Sequence, residues 1–462
     1  MRYSITFTEN QHTELVSHLF GTSERKECAA YLLCGISQTT TESRLLVRQV
    51  IPIPNSDLVA QSGVGFTIPS SSFLPVLKLA DRQSACFALV HSHPEGTPDH
   101  SQQDDEEEQK LFTTAYNRIG GVDRIHASMV MSSPTMPHGR VWLDGGTTAP
   151  IELVRVIGRR FRFFSRNQQP GIDASFYDRQ VRAFGPDLLP VVRGLTIGVV
   201  GAGGTGSSVV EQLIRLGIGR LVISDGDKLD RSNISRVYGS EVDALNVPKS
   251  DLMSKLAQRI GLGTVVQSIS KPITYESVLK QFRDCDVIFG CTDDEWGRSL
   301  LCQFAVRYSV PVFDLGVKID SKGGIVRAIV GRVTTLMPEA RCLFCRGHIS
   351  AEGVSAEIAQ ELSPGEAANL RREGYIRELP GVEPSVIAFT TATAAFAIAE
   401  FLNRIAGYRA DARATGEASI RFDELTIRKP GPTSLLPCFC TDSSLIGRGD
   451  EPRFLDQTWR PE

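Results

Sequence analysis

Apolar and polar residues alternate in short stretches through the first third of the chain. SRLLVRQVIPI, CFALVHSH, HASMVMS and GRVWL each read as strands, because side chains two apart share a face. A single helical start falls around Thr13 to Phe20, so this part has an α+β pattern. Ser165 to Gly171 (SRNQQPG) is polar with Pro-Gly and reads as a linker or exposed loop, and a helical segment follows through Tyr177 and Arg182. At Leu195 the texture changes. LTIGVV is a continuous apolar run of the kind found in buried parallel strands. GAGGTG follows it, then SSVVEQLIRLG as a helix and RLVIS as a second strand, which together make a βαβ unit. DVIFG and PVFDLG add two strand candidates, so the second part is expected to be a mainly parallel sheet with helices on both faces.

Composition adds limits. At 462 residues the chain exceeds one ordinary core, and two domains are expected. Hydrophobic residues make up 41% and charged residues 22%, with a net charge of −3, so neither nucleic acid nor an anionic membrane is expected as a partner. MRYSITFTEN lacks a basic-then-apolar signal pattern, and a cytoplasmic location is expected. Val386 to Leu402 is apolar almost all round. It is short for a membrane span and carries Glu400 and three threonines, so it reads as a buried helix. Ten cysteines include two close pairs, which points to metal rather than disulfides.

HSHPEGTPDHSQQD carries the first chemistry. His91 and His93 end an apolar strand on one face, and Asp104 adds an oxygen ligand. Two histidines and a carboxylate leave the fourth position of a zinc ion open for water, as in catalytic sites. Glu27, in KECAAYLLCG, is the candidate general base, and Ser101 the candidate oxyanion donor. His100 reads as a loop residue, and the acidic run from Asp105 to Glu108 as a solvated helix N-terminus. The pattern Glu, then His-x-His-x7-Ser-x2-Asp, resembles the JAB/JAMM (MPN-like) zinc metallopeptidases over roughly residues 1–145. That resemblance implies zinc on His91, His93 and Asp104, proton transfer by Glu27 and oxyanion support from Ser101.

Gly201, Gly203 and Gly206 form a G-x-G-x-x-G turn between strand and helix, with Gly204 inside it, where backbone amides cradle phosphate. Alone it equally suits a nicotinamide dehydrogenase. The residues that follow favour nucleotidyl transfer: Asp225 at a strand end, then Asp227, Asn233, Arg236, Lys249, and Asp293 in GCTDD, with Arg179 upstream in FYDRQ. Adenylation needs this density of cations and a metal-holding carboxylate, because pyrophosphate leaves. The set resembles the ThiF/MoeB and ubiquitin-activating superfamily over about residues 173–430, with Val237 where many relatives carry glutamine. By that resemblance Asp225 binds ribose, Asn233, Arg236 and Lys249 contact the phosphates of ATP, and Asp293 holds Mg2+. Asp227 falls in the motif but reads equally as a turn residue. Arg179 matches an arginine supplied by a partner subunit, which implies a homodimer.

Cys342-x2-Cys345 and Cys438-x-Cys440 suit a structural zinc, although the second pair is one residue shorter than in relatives. No cysteine lies between Cys345 and Cys438, so GYIRELPGVEPS lacks the thioester cysteine of ubiquitin-activating enzymes, and Cys291 and Cys302 read as core.

The expected organisation is a JAB-like zinc peptidase at 1–150, a linker at 151–172, an adenylation domain with structural zinc at 173–440 and a tail at 441–462. The expected function is bifunctional: zinc-dependent cleavage of a ubiquitin-like precursor or conjugate, and adenylation of its C-terminal glycine, in a bacterial system. A conjugating enzyme or sulfur donor would take the product. The alternatives are sulfur-carrier processing for small-molecule biosynthesis and a scaffold that only binds a ubiquitin-like protein.

Overall fold

The structure, a computed structural model, describes residues 1–21, 26–59, 66–94, 97–120, 124–143, 146–166, 173–372, 384–409 and 415–462. The chain divides into two compact units. The first is Met1–Gln168 with Arg307–Ser309 and Ser443–Glu451, and the second comprises the remainder.

The first unit is built on strands β1 (Arg2–Thr8), β2 (Ala29–Gln38), β3 (Glu42–Pro52), β4 (Cys86–Ser92), β5 (His126–Met131), β6 (Pro137–Trp142), β7 (Thr148–Pro150), β8 (Leu153–Ile157) and β9 (Arg162–Ser165). They form one sheet in the order β7-β6-β5-β4-β2-β3-β1-β8-β9. Alternation along β2 splits the core. Ala30, Leu32 and Cys34 face the helix Glu9–Phe20 through Leu15 and Leu19. Ala29, Tyr31 and Leu33 face the helices Ser70–Arg82 and Gln102–Arg118 through Leu77, Ala80, Leu111 and Phe112. The unit is thus helix, sheet, helix.

Two expectations change here. β8 and β9 occupy what reads in sequence as the start of a linker, because β8 pairs in parallel with β1 from Ser4↔Leu153 to Thr8↔Ile157. The rest of that linker, 167–172, lies outside the described residues. Nor is 441–462 a simple tail. Ser443–Glu451 groups with the first unit and Pro452–Glu462 with the second. Gly449 bridges Ile36, Asp450 accepts the Gln38 amide at 2.7 Å, and a Cβ on Gly35 would lie 2.0 Å from the Gly447 carbonyl oxygen. Glycines at these positions allow the two backbones to touch.

The second unit contains β10 (Thr196–Val200), β11 (Arg220–Ser224), β12 (Val265–Ile269), β13 (Val287–Gly290), β14 (Val312–Lys322), β15 (Ile325–Leu336), β16 (Glu417–Arg421) and β17 (Thr426–Arg428). Their order is β12-β11-β10-β13-β14-β15-β16-β17. The pairs from β12 to β14 are parallel, and those from β14 to β17 antiparallel. The order reverses at β10, whose neighbours are β11 and β13. That is the switch point where such sheets bind ligands, beyond the carboxyl ends of the strands. The apolar stretch starting at Val386 forms the helix Ile387–Ala406 and packs against the helix Gly204–Leu216. Its Glu400 is fully buried, 3.3 Å from Arg404 and 2.5 Å from Arg409. Among the described residues no helix is long and apolar enough to cross a membrane.

Candidate functional sites

The histidine site is assembled from three places in the first unit. β4 carries His91 at its end, with His93 just beyond. Ala29 pairs with His91 across the ladder. The Ser92 amide donates to the Cys28 carbonyl at 2.9 Å, which brings Glu27 beside the same strand end. The helix Gln102–Arg118 supplies Asp104 from its first turn, with Ser101 as N-cap.

The two histidine Nε2 atoms lie 3.1 Å apart. Asp104 places Oδ1 3.2 Å from His91 Nε2 and Oδ2 3.5 Å from His93 Nε2. Zinc bonds of about 2.0–2.2 Å in a tetrahedron put neighbouring ligand atoms roughly 3.3–3.5 Å apart, so this donor set fits one ion. Glu27 Oε1 is 3.7 Å from His93 Nε2. His93 Nδ1 lies 3.0 Å from the Thr97 carbonyl oxygen and donates to it, which turns the Nε2 lone pair toward the other ligands. Glu27, His91 and His93 are all buried. Burial pushes the Glu27 carboxyl up, and His91 and His93 offset part of that rise. Asp104 also meets a burial penalty, but hydrogen bonds and charge from His91 and His93 hold it far below the usual carboxylate range.

Ser101 is engaged: its hydroxyl donates to Asp104 Oδ2 at 2.7 Å and accepts the Asp104 amide at 3.2 Å. His100 precedes the helix in a loop, yet its ring is nearly buried, with Nε2 3.3 Å from Ser128 Oγ. The acidic run needs correction at Glu108. Asp105 and Glu106 are exposed, but Glu108 is 2% exposed. One helical turn after Asp104 it faces the sheet, where it takes Arg140 at 2.7 Å, Ser128 at 2.5 Å and the Trp142 indole at 3.3 Å.

In the second unit the glycine turn follows β10. Gly201 has φ +87°, and a Cβ there would sit 2.8 Å from the Cys291 carbonyl oxygen. A Cβ on Gly206 would meet the Gly201 carbonyl oxygen at 1.8 Å. The helix Gly204–Leu216, with Gly203 as N-cap, starts from this turn and presents its N-terminal amides there. Asp225, at the end of β11, accepts the Ala202 amide at 2.6 Å and the Asp227 amide at 2.8 Å. Burial pushes its carboxyl up, with Lys249 and the two amides pulling against it. Asp227 forms an ion pair with Lys249 at 2.8 Å. Asn233 closes a capping box with Asp230, and Arg236 donates to the Ser232 carbonyl at 2.6 Å. The Arg236 Cδ lies 3.3 Å from where a Cβ on Gly204 would be. Asp293 follows β13 and is exposed, and Arg179 is exposed on the short helix Asp178–Phe184. Arg298 and Arg332, unremarked in the sequence, converge on the fully buried Asp314 at 3.4 and 2.6 Å at this sheet edge.

The cysteine pairs meet. Sγ–Sγ distances are 3.9 Å for Cys342–Cys345, 3.7 Å for Cys342–Cys438 and 3.8 Å for Cys345–Cys440. These are far from a disulfide and match the edge of a tetrathiolate zinc site with bonds of about 2.3 Å. Burial, then the Asp314 carboxylate, pushes the Cys291 thiol up, while Cys302 is buried. Most of GYIRELPGVEPS falls at 373–383, outside the described residues.

The model of the ThiF family matches residues 177–431, more than half of the chain. The chain belongs to the ThiF family. A JAB domain precedes the ThiF domain: the model of prokaryotic homologs of the JAB domain matches residues 9–143. Over 215 residues the chain is 24% identical to the SAMP-activating enzyme E1 of Haloferax volcanii, covering 46% of this chain and 72% of that one. Over 169 residues it is 25% identical to the sulfur carrier protein ThiS adenylyltransferase of Bacillus subtilis, covering 36% and 48%. Over 213 residues it is 27% identical to the tRNA threonylcarbamoyladenosine dehydratase of the same bacterium, covering 46% and 82%. The ThiF domain is thus of the adenylyltransferase type found in E1 and MoeB enzymes, and ATP use is consistent with it. In the JAB domain Glu27, His91, His93 and Asp104 of the sequence motif lie together in the fold.

Proposed function

We propose that the chain acts twice on the C-terminus of a small ubiquitin-like protein: the JAB domain cuts there as a zinc peptidase, and the ThiF domain joins the exposed carboxylate to AMP. The observation that carries this reading is the meeting of buried Glu27, His91 and His93 with half-buried Asp104, in the chain that also holds the glycine turn and Asp225. Enzymes named for SAMP and ThiS among the relatives support the carrier class.

In the JAB domain, bound zinc supplies a Lewis acid that polarises the scissile carbonyl and acidifies water. His91, His93 and Asp104 would hold the ion. Glu27 takes the proton of the attacking water and returns it to the leaving amine, a role its raised pKa suits. Ser101 donates to the carbonyl oxygen as negative charge grows, once its hydroxyl turns from Asp104.

In the ThiF domain, the amides of the glycine turn receive phosphate, and Asp225, fixed by two amides, holds ribose. Asn233, Arg236 and Lys249 bear the phosphate charge, and Asp293 would hold Mg2+. Arg179 would act in the site of a partner copy of the chain. Cys342, Cys345, Cys438 and Cys440 would hold a structural zinc.

Pyrophosphate exchange is expected to require ATP and the carrier together, and to collapse in Asp293→Ala and Arg236→Ala. Cleavage of a carrier fusion is expected to require zinc and to vanish in Glu27→Ala and His91→Ala, with exchange intact. Cleavage that survives chelation would overturn the peptidase reading. A second reading makes the carrier a thiocarboxylate for small-molecule sulfur transfer. The absence of cysteine from GYIRELPGVEPS favours it, since no thiol stands ready there to take the acyl group. A reductant-sensitive carrier–enzyme thioester would exclude it.

A further inference from the structure

We propose that Arg140 is a positioning residue for the metal-ligand turn of the JAB domain. This rests on reading His91, His93 and Asp104 as a zinc site. Among the described residues of its own turn Asp104 is tied to Ser101 alone, through the amide at 2.6 Å and the hydroxyl at 2.7 Å. Those bonds shape the turn but do not fix it against the histidines. That distance depends on what anchors the helix Gln102–Arg118 to the sheet.

Arg140 provides a polar anchor on this turn. Its Nη1 reaches Asp105 at 2.5 Å, and its Nη2 and Nε reach Glu108 at 2.7 and 3.0 Å. One planar guanidinium therefore grips the residues one and four places after Asp104, along the first turns of the helix that carries the ligand. The sheet end of the grip is rigid. Arg140 pairs with Ser128 across β5 and β6, and Ser128 pairs with Leu89 on β4, the strand that carries His91. Arg140 also lies over the Trp142 ring at 5.0 Å, and both Trp142 and Ser128 donate to the same Glu108 oxygen. Ligand histidines and ligand carboxylate are thus held in register through Arg140, which touches none of them. Groups that hydrogen-bond metal ligands directly are worth about 10–100-fold in metal affinity, and Arg140, by setting where the carboxylate ligand sits, is expected to act within that range.

The test is a cobalt(II) titration of the full chain, read by d–d absorption. A cobalt thiolate site adds d–d bands of its own besides its sulfur-to-metal charge transfer, so the signal of the histidine–carboxylate site is taken as the difference between the wild type and His91→Ala. A zinc competition then gives the affinity. Arg140→Ala would strand a buried Glu108, so the informative variant is Arg140→Met with Glu108→Gln, and Arg140→Lys is the partial rescue. The double variant should melt near the wild type, keep the thiolate spectrum and bind zinc at the histidine site about 10–100-fold more weakly. Arg140→Lys should fall between, because an ammonium cannot span both carboxylates. Affinity in the double variant within twofold of wild type would overturn the proposal. If instead the wild type gives no cobalt signal that His91→Ala removes, the zinc reading itself falls.

Discussion

Replacing Glu42 by glutamine should destabilise the first unit severely without touching either candidate site. The Glu42 side chain is 3% exposed and sits where β1, β3 and β8 lie side by side. One oxygen takes Arg2 and Arg44, each at 2.9 Å, and the other takes Arg155 at 2.9 Å and the Ser4 hydroxyl at 2.5 Å. Arg44 and Arg155 are 2% and 1% exposed in their side chains, so neither can turn to water. Glutamine keeps the shape and removes the carboxylate charge that Arg2, Arg44 and Arg155 share. Breaking a buried ion pair costs about 3–5 kcal/mol, and two buried guanidiniums place this case near the upper end. At roughly 2–4 °C per kcal/mol for a unit of this size, melting should fall by about 8–20 °C.

The pH dependence fixes the cause. Burial alone would raise the Glu42 carboxyl, but Arg155, Arg44 and Arg2 outweigh it and hold it well below the ordinary value. Its contribution is therefore complete above the unfolded value of about 4.3 and is lost as pH falls through the folded one. Calorimetry at fixed zinc concentration should show a wide gap between variant and wild type at pH 7 that narrows as pH drops below about 4. A gap under about 2 °C at pH 7, or one unchanged in acid, would refute the reasoning.

Gly206→Ala forces a Cβ against the Gly201 carbonyl oxygen, so nucleotide binding, measured by calorimetric titration, should be lost before any change in the JAB domain. Cys342→Ser should remove one equivalent of zinc, counted by elemental analysis, and lower the melting of the second unit, since structural zinc contributes folding free energy outright. Asp104→Asn should lower cleavage of a carrier fusion about 100-fold or more, with pyrophosphate exchange kept within twofold. Equal losses in both assays would mean the substitution acts through folding.

Much of this was legible in the sequence because the chemistry is local. HSH at a strand end and the glycines after LTIGVV declare their geometry within a few residues, and each lies where its pattern put it. Cys438-x-Cys440 meets Cys342 and Cys345 despite its short spacing, with Sγ–Sγ distances of 3.7 and 3.8 Å. What escaped depends on distant partners. Glu108 reads as solvated because it ends a run of five acids, and partners 20 to 34 residues on, Ser128, Arg140 and Trp142, explain its burial. β8 and β9 were lost among arginines because the strand that accepts β8 lies at the start of the chain. The Asp314 cluster joins β14, β15 and the helix Glu295–Arg307, which no short pattern links.

The strip from Ser443 to Glu451 has a consequence for synthesis. The strands that open the chain leave the ribosome early, yet Asp450, which caps Gln38, is made 412 residues after it. Until then the exposed backbone edge beside Gly35 waits for its cover, and a message truncated after the cysteine pairs would release a protein whose oldest part is still unfinished.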